Sequence, residues 1–372
     1  MIYLDNAATT YPKPPEVLDA VTDCIRRIGG NPGRAAHTHS ILAAEAVYDA
    51  RCEVADFFGI PDPSSIIFTP NATFALNLAV KCRVKRGDHV LISDLEHNAV
   101  FRPVARLKKE GVADYSVFSS RGDVLSNIRK NEKKETAILI CNPVSNVTGD
   151  RLPIRRIAAY AKARGFYLIV DGSQWIGHGT PDKTVISLAD AIAVPGHKGL
   201  YGIQGSGFLY LKSANGLSPF LDGGSGNQSA EPDMPKELPE RYEAGTIATP
   251  AIVSLGAGIR FIRRFGPDRI AEHEAKLGFY ARNRLSEIPG VKIFGNEGNG
   301  SSVLSFRITD ESPEQTASRL DRSGICVRAG LHCAPLIHRS IGTFPEGTVR
   351  ISFGVYNSER DIDALISAII KK

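Results

Sequence analysis

The sequence predicts an α/β fold with a mainly parallel central sheet and a smaller C-terminal α+β domain. Three observations carry that expectation. Through the first two thirds of the 372 residues, apolar runs of strand length alternate with amphipathic stretches of helix length, the order that buries a parallel sheet between helices. Polar residues able to do chemistry stand directly after several of these runs, where a parallel sheet gathers the loops at the carboxyl ends of its strands. Past residue 290 the segments shorten and the alternation stops, as in a small mixed unit.

Taken in order, amphipathic stretches at 15–28 and 41–58 read as helices. Apolar runs follow at Ile66-Ile67-Phe68, Val90-Leu91-Ile92, Ala137-Ile138-Leu139-Ile140, 167–170, 191–194 and Gly207-Phe208-Leu209-Tyr210, each of a length that suits a buried strand. Residues 222–239 are rich in Gly, Ser, Asn, Glu and Pro and read as an excursion from the large domain, either a gate or a subunit contact. Long helical patterns at 250–265 and 268–288 stop at Pro289-Gly290. Strand-like runs at 291–294, 303–306 and 349–353 and helical ones at 313–323 and 358–370 make up the small unit. The expected division is a large domain over 15–255 and a small one over 256–372, joined by the N-terminal segment 1–14.

The length fits two domains, since single cores stop growing at roughly 250–300 residues. Forty-five Lys and Arg against 40 Asp and Glu leave a net +5, with the signs interspersed as in Arg129-Lys130-Asn131-Glu132-Lys133-Lys134-Glu135. Such mixing makes a solvated face and argues against a nucleic-acid partner. No run approaches the ~18 apolar residues of a membrane helix. The start Met1-Ile2-Tyr3-Leu4-Asp5 lacks the regions of a signal peptide, so a cytoplasmic protein without membrane contact is expected.

The six cysteines have neither metal-ligand spacing nor a dense disulfide pattern. Cys52, Cys82 and Cys141 sit in or beside apolar segments and read as core residues. Cys333 lies instead in the polar, glycine-containing loop Arg328-Ala329-Gly330-Leu331-His332-Cys333-Ala334-Pro335, a context that favours a reactive thiol.

Lys198 carries the strongest chemical signal. It follows the apolar run Ala191-Ile192-Ala193-Val194 in Pro195-Gly196-His197-Lys198-Gly199, and Asp171-Gly172-Ser173-Gln174 follows a similar run upstream. A desolvated amine loses its proton easily and can form a Schiff base, while a carboxylate after a neighbouring strand can keep a pyridinium nitrogen protonated. Together they point to pyridoxal phosphate. Asp171 and Gln174, three residues apart, can turn toward one ligand, Gln174 donating to the phenolic oxygen. His97, in a polar loop after Val90-Leu91-Ile92-Ser93, can stack on a cofactor ring and shuttle protons near neutral pH. Asn71-Ala72-Thr73 opens a helix whose amides and Thr73 hydroxyl would face an anion; a plain helix cap accounts for it equally well. No dinucleotide fingerprint or Walker-type phosphate loop is present.

The stretches Tyr3-Leu4-Asp5-Asn6-Ala7-Ala8-Thr9-Thr10, Glu96-His97-Asn98-Ala99, Val144-Ser145-Asn146-Val147-Thr148-Gly149, Asp171-Gly172-Ser173-Gln174, Gly196-His197-Lys198, Tyr242-Glu243-Ala244-Gly245-Thr246, Arg328-Ala329-Gly330-Leu331-His332-Cys333-Ala334 and Arg350-Ile351-Ser352 resemble the cysteine desulfurase family of class V aminotransferases. They run in order over essentially the whole chain. The context of Cys333 looks like the group II, selenocysteine-lyase-like branch.

The resemblance implies a fold type I pyridoxal-phosphate enzyme. It assigns Lys198 to the covalent hold on the cofactor, Asp171 to the ring nitrogen and His97 to stacking on the ring. Asn146 and Gln174 match contacts to ring substituents, and Ala72, Thr73 and His197 match the phosphate cradle. Thr246 matches a phosphate contact that comes from the second subunit, which implies a homodimer. Arg350 matches the grip on the substrate carboxylate and Cys333 the nucleophile that accepts sulfur. The catalytic set is therefore Lys198, Cys333 and His97. Pro195 departs from the family pattern, standing where a Ser or Thr often contacts the phosphate.

The implied reaction converts L-cysteine to L-alanine and passes sulfur through a Cys333 persulfide to an acceptor protein or thiol. L-selenocysteine as substrate, another class V reaction and a noncatalytic sulfur carrier on the same fold are the alternatives. Cys333 argues against the second, and the joint presence of Lys198, Asp171 and Arg350 against the third.

Overall fold

The computed structural model describes residues 1–33, 36–295 and 301–371. Its strands, in chain order, are β1 (Ile2–Tyr3), β2 (Ile66–Thr69), β3 (His89–Ser93), β4 (Asp114–Phe118), β5 (Thr136–Cys141), β6 (Tyr167–Asp171), β7 (Ala191–Pro195), β8 (Gly207–Leu211), β9 (Val291–Phe294), β10 (Val303–Ile308), β11 (Ile325–Cys326), β12 (Arg328–Gly330) and β13 (Thr348–Ser352). Seven of them form the central sheet in the order β2-β8-β7-β6-β5-β3-β4. Neighbours from β4 to β7 pair in parallel. Only β8 runs the other way, antiparallel to both β7 and β2, so all the strands of the sheet except β8 point the same way. The sheet is mainly parallel, as its sequence pattern predicts.

Period-two alternation assigns each strand to two cores. Ile66, Phe68, Leu139, Cys141, Leu168, Val170, Ile192 and Val194 face one hydrophobic cluster, while Ile67, Ile138, Ile140, Ile169, Ala191 and Ala193 face another. Helices cover both faces. Helix Thr38–Phe58 and helix Thr249–Phe265 pack on the first side, and helices Ala72–Arg83 and Asn98–Lys109 on the second. The expected boundary at residue 255 falls inside helix Thr249–Phe265, whose Ile259, Phe261 and Ile262 continue into the first cluster.

A third cluster, including Leu4, Leu277, Phe306, Val349, Ile351 and Ile362, lies around a four-stranded antiparallel sheet of order β12-β13-β10-β9. The N-terminal segment ties into it, with β1 pairing in parallel with β11.

Several local expectations are corrected. Edge strand β4 has a polar, half-buried sequence, too weakly apolar to stand out as a run. The stretch 15–28 divides into helix Pro15–Asp23 and a wider turn Cys24–Ile28 that closes at left-handed Gly29. Cys141 is buried as expected, but Cys52 and Cys82 are only half-buried, because they lie on covering helices and not in the sheet. Among the described residues, no helix is long and apolar enough to cross a membrane.

Candidate active site

The carboxyl ends of β2, β3, β5, β6 and β7 open into one pocket. Its wall includes Ala72 and Thr73 after β2, His97 after β3, Asn146 after β5, Asp171 and Gln174 from β6 onward, and His197 and Lys198 after β7. Cys333 and Arg350 enter from the C-terminal part of the chain. Ten of the eleven sequence-predicted site residues thus meet. The exception is Thr246, which is exposed and lines a separate cleft with Phe68 and Pro70. Residues 222–239 likewise form no part of the pocket wall.

The Lys198 loop is held by close packing. A Cβ on Gly199 would lie 2.2 Å from the Ile176 carbonyl oxygen, so the turn after Lys198 requires glycine. The His197 carbonyl accepts from the Thr10 backbone N–H (3.1 Å), the Thr9 and Thr10 hydroxyls (3.0 and 3.2 Å) and Lys13 Nζ (2.8 Å). Burial pushes the Lys198 amine down to about 8, partly offset by Asp171 and reinforced by Arg350 and Arg328. Asp171 itself is 1% exposed, accepts from the Ser173 N–H at 3.0 Å, and has no ion-pair partner among the described residues.

His97 caps helix Asn98–Lys109, its Nδ1 accepting from the Ala99 N–H at 3.0 Å. That bond leaves the ring proton on Nε2. Burial lowers its pKa to about 4, with Lys198, Arg328 and Arg102 adding to the effect against the pull of Asp171. The expected titration near neutral pH is therefore corrected: His97 is a neutral N–H donor there. His197 is held neutral in the same way, down to about 4, by burial, Lys198 and Lys13.

Other side chains of the pocket are also held by protein contacts. Gln174 Nε2 donates to the Ala7 carbonyl at 2.9 Å, and Asn146 Nδ2 donates to the His332 carbonyl at 2.8 Å. Asn71 acts as a cap, accepting from the Phe74 N–H at 2.9 Å, while Ala72 and Thr73 in the next turn reach the pocket. Pro195 ends β7 opposite Gly207, a strand terminus where a missing N–H is tolerated.

Arg350, on β13, is 2% exposed. Its Nη2 donates to Asp5 Oδ1 at 2.5 Å and its Nη1 to the Asn146 carbonyl at 3.0 Å, while Nε has no partner among the described residues. Cys333 sits in a left-handed conformation (φ 58°), as does His332 (φ 48°), a strained region for residues with a Cβ. Its carbonyl accepts from the Asn98 N–H at 2.7 Å, and Arg328 Nη2 approaches its sulfur at 3.7 Å.

Residue-by-residue reading of the sequence missed Arg328, His332 and the bracing pair Asp5 and Lys13. Each lies inside or next to a stretch that carried the resemblance, which was the available signal. One pocket thus brings together a buried carboxylate, a desolvated amine and a thiol.

The chain is similar to known proteins along nearly its whole length. The family Aminotransferase class-V matches residues 2–365. A probable cysteine desulfurase of Methanothermobacter thermautotrophicus is 34% identical, with 98% of this chain and 92% of the relative covered. One of Halalkalibacterium halodurans is 33% identical over 100% of this chain and 93% of the relative. Among solved structures, the apo cysteine desulfurase of Thermococcus onnurineus superposes with a TM-score of 0.90 at 31% identity, covering 99% of this chain and 93% of that one. A cysteine desulfurase of Escherichia coli in its S-sulfonic acid form gives 0.89 at 28% identity, covering 99% and 94%.

Proposed function

The chain belongs to the class V aminotransferase family and within it to the cysteine desulfurases, and from that premise we propose that it converts L-cysteine to L-alanine with pyridoxal phosphate and delivers the sulfur through Cys333. The observation that carries this reading is the convergence of Lys198, Asp171, His97, Arg350 and Cys333 on one pocket.

The residues present fit the cofactor. A buried carboxylate in no contact ion pair among the described residues, Asp171, lies in the same pocket as an amine, Lys198, whose burial favours its reactive neutral form. Asn146 Oδ1 and His197 Nδ1 are buried polar atoms with no partner among the described residues, as expected where a polar ligand completes the site. Lys198 would hold the cofactor through its amine, Asp171 would keep its ring nitrogen protonated and His97 would stack on its ring. Asn146 and Gln174 would reach ring substituents, and Ala72, Thr73 and His197 would take the phosphate. When bound, pyridoxal phosphate supplies an electron-poor ring that accepts negative charge developing at the substrate α-carbon.

Arg350 orients the substrate carboxylate and the Lys198 amine takes the α-proton. The sulfur of Cys333 then attacks the substrate sulfur: an S–S bond forms, the C–S bond breaks, and its electron pair stays with the carbon fragment. That fragment takes back the proton held by the Lys198 ammonium and a second that originates on the Cys333 thiol, with neutral His97 Nε2–H positioned as a hydrogen-bond donor beside it, and leaves as alanine. Arg328 places a positive charge beside the attacking sulfur. The persulfide left on Cys333 passes to an acceptor thiol.

Thr246, remote from the pocket of its own chain, would reach the phosphate of a second subunit in a homodimer. Exposed Leu18, Ile25, Ile41, Leu42 and Tyr48 on the N-terminal helices supply apolar surface of the kind a subunit contact covers. The division into a large and a small domain bridged by residues 1–14 is retained in this reading, with Asp5 and Lys13 reaching from the bridge to Arg350 and the His197 carbonyl.

The test is alanine release from L-cysteine in the presence of a reducing thiol. The parent protein is expected to release alanine and Cys333→Ala almost none. A cofactor-loaded parent that released none would overturn the assignment.

A further inference from the structure

Glu96 is fully buried and belongs to no step of the proposed reaction. It stands between β3 and His97, and its Oε1 accepts from the Ser93 hydroxyl at 2.5 Å and the Asn142 N–H at 2.8 Å. Ser93 is at the end of β3 and Asn142 directly follows β5, so one carboxyl oxygen joins the ends of two neighbouring strands. The loops leaving those ends carry His97 and Asn146. Oε2 is buried without a partner, and no cation is paired with the group among the described residues.

The surroundings decide its charge. The ionisable groups that act on it are Asp171 and Asp94, both of which disfavour a further anion, and it in turn disfavours a thiolate at Cys141. An ionised carboxylate with one bare buried oxygen beside two acids is far costlier than a neutral acid in the same place. We propose that Glu96 is a positioning residue held as a neutral carboxylic acid, which joins the loop bearing His97 to the loop bearing Asn142 and Asn146 without setting a second negative charge beside Asp171. Its consequence for catalysis rests on the functional reading above: no further anion is added beside Asp171 near Lys198, and His97 keeps its place over the ligand.

Burial raises Glu96 to about 8. Unfolding therefore releases a proton between the ordinary carboxylate range and about pH 8, and the native state loses stability as pH rises through that interval. Glu96→Gln keeps the acceptor oxygen and cannot ionise. Urea unfolding of the purified parent and Glu96→Gln at pH 5, 7 and 8.5 is expected to show the variant gaining on the parent steadily with pH. A gap that is constant or shrinks would mean an ionised Glu96 and overturn the proposal.

The positioning role is read from alanine release. Glu96→Leu removes the acceptor and is expected to lower kcat about 10- to 100-fold, as small misplacements of reacting groups do, while Glu96→Gln restores most of the rate with the parent's pH profile. Full activity in the Leu variant, or a displaced pH profile in the Gln variant, would overturn it. Absence of alanine release by the parent would instead defeat the desulfurase reading, and the unfolding series would still decide the state of Glu96.

Discussion

Lys13 Nζ donates at 2.8 Å to the carbonyl of His197, the residue just before Lys198. The same amine reaches the Thr10 hydroxyl at 2.8 Å, so the N-terminal segment is fastened to the loop that carries the reactive lysine. Burial brings Lys13 down to about 7. The unfolded chain then binds the extra proton from about pH 7 up to the ordinary lysine range, and native stability rises with pH across that window. Parent and Lys13→Met compared by urea unfolding at pH 7 and 9.5 should show the parent gaining on the variant at the higher pH. A gap without pH dependence would refute the assignment.

The Arg350–Asp5 contact joins the β13 guanidinium to the same N-terminal segment. Asp5→Ala leaves a guanidinium that is 2% exposed without its countercharge, and truncating one partner of a buried pair costs about 3–5 kcal/mol. Partial exposure of Asp5 argues for the lower end. A clear fall in Tm should accompany a higher KM for L-cysteine, since Arg350 loses its orientation. An unchanged Tm would show that Asp5 is dispensable.

Cys333 occupies left-handed backbone, φ 58°. Glycine adopts that conformation without the clash of a Cβ, so Cys333→Gly should be more stable than Cys333→Ala by about 1 kcal/mol, although neither can accept sulfur. Thermal unfolding of the two variants side by side is the check, and equal stabilities would mean that the turn relaxes once the thiol is gone.

Lys198 should titrate near 8 in cofactor-free protein, with Asp171 supporting its charged form. Acylation of Lys198, followed by peptide mass spectrometry across pH, is expected to rise through that midpoint. Asp171→Asn should move the midpoint down, because the carboxylate that favours the ammonium is removed. A midpoint near the ordinary lysine value in either protein would contradict the desolvated site.

Much of this protein was determined by its sequence alone. Apolar runs such as 167–170 and 191–194 were legible as buried strands because β-branched and other apolar residues repeat at strand length, and Asp171 and Lys198 were legible because each follows such a run. The sheet's direction followed from the alternation of those runs with helices. Edge strand β4 and the reversal of β8 were not legible, since pairing direction and edge position depend on partners distant in the chain.

The state of each site residue was likewise a tertiary decision. His97 as a type suggested a shuttle near neutral pH, yet desolvation and the surrounding cations hold it neutral. Gln174 turned to the Ala7 carbonyl, Arg350 to Asp5, and Cys333 took a left-handed turn, none of which spacing can encode. Sequence determined which groups arrive at the strand ends, because side-chain patterning governs burial. Only the tertiary structure decided their charge, partners and strain, because those depend on distances and solvent exclusion between segments hundreds of residues apart.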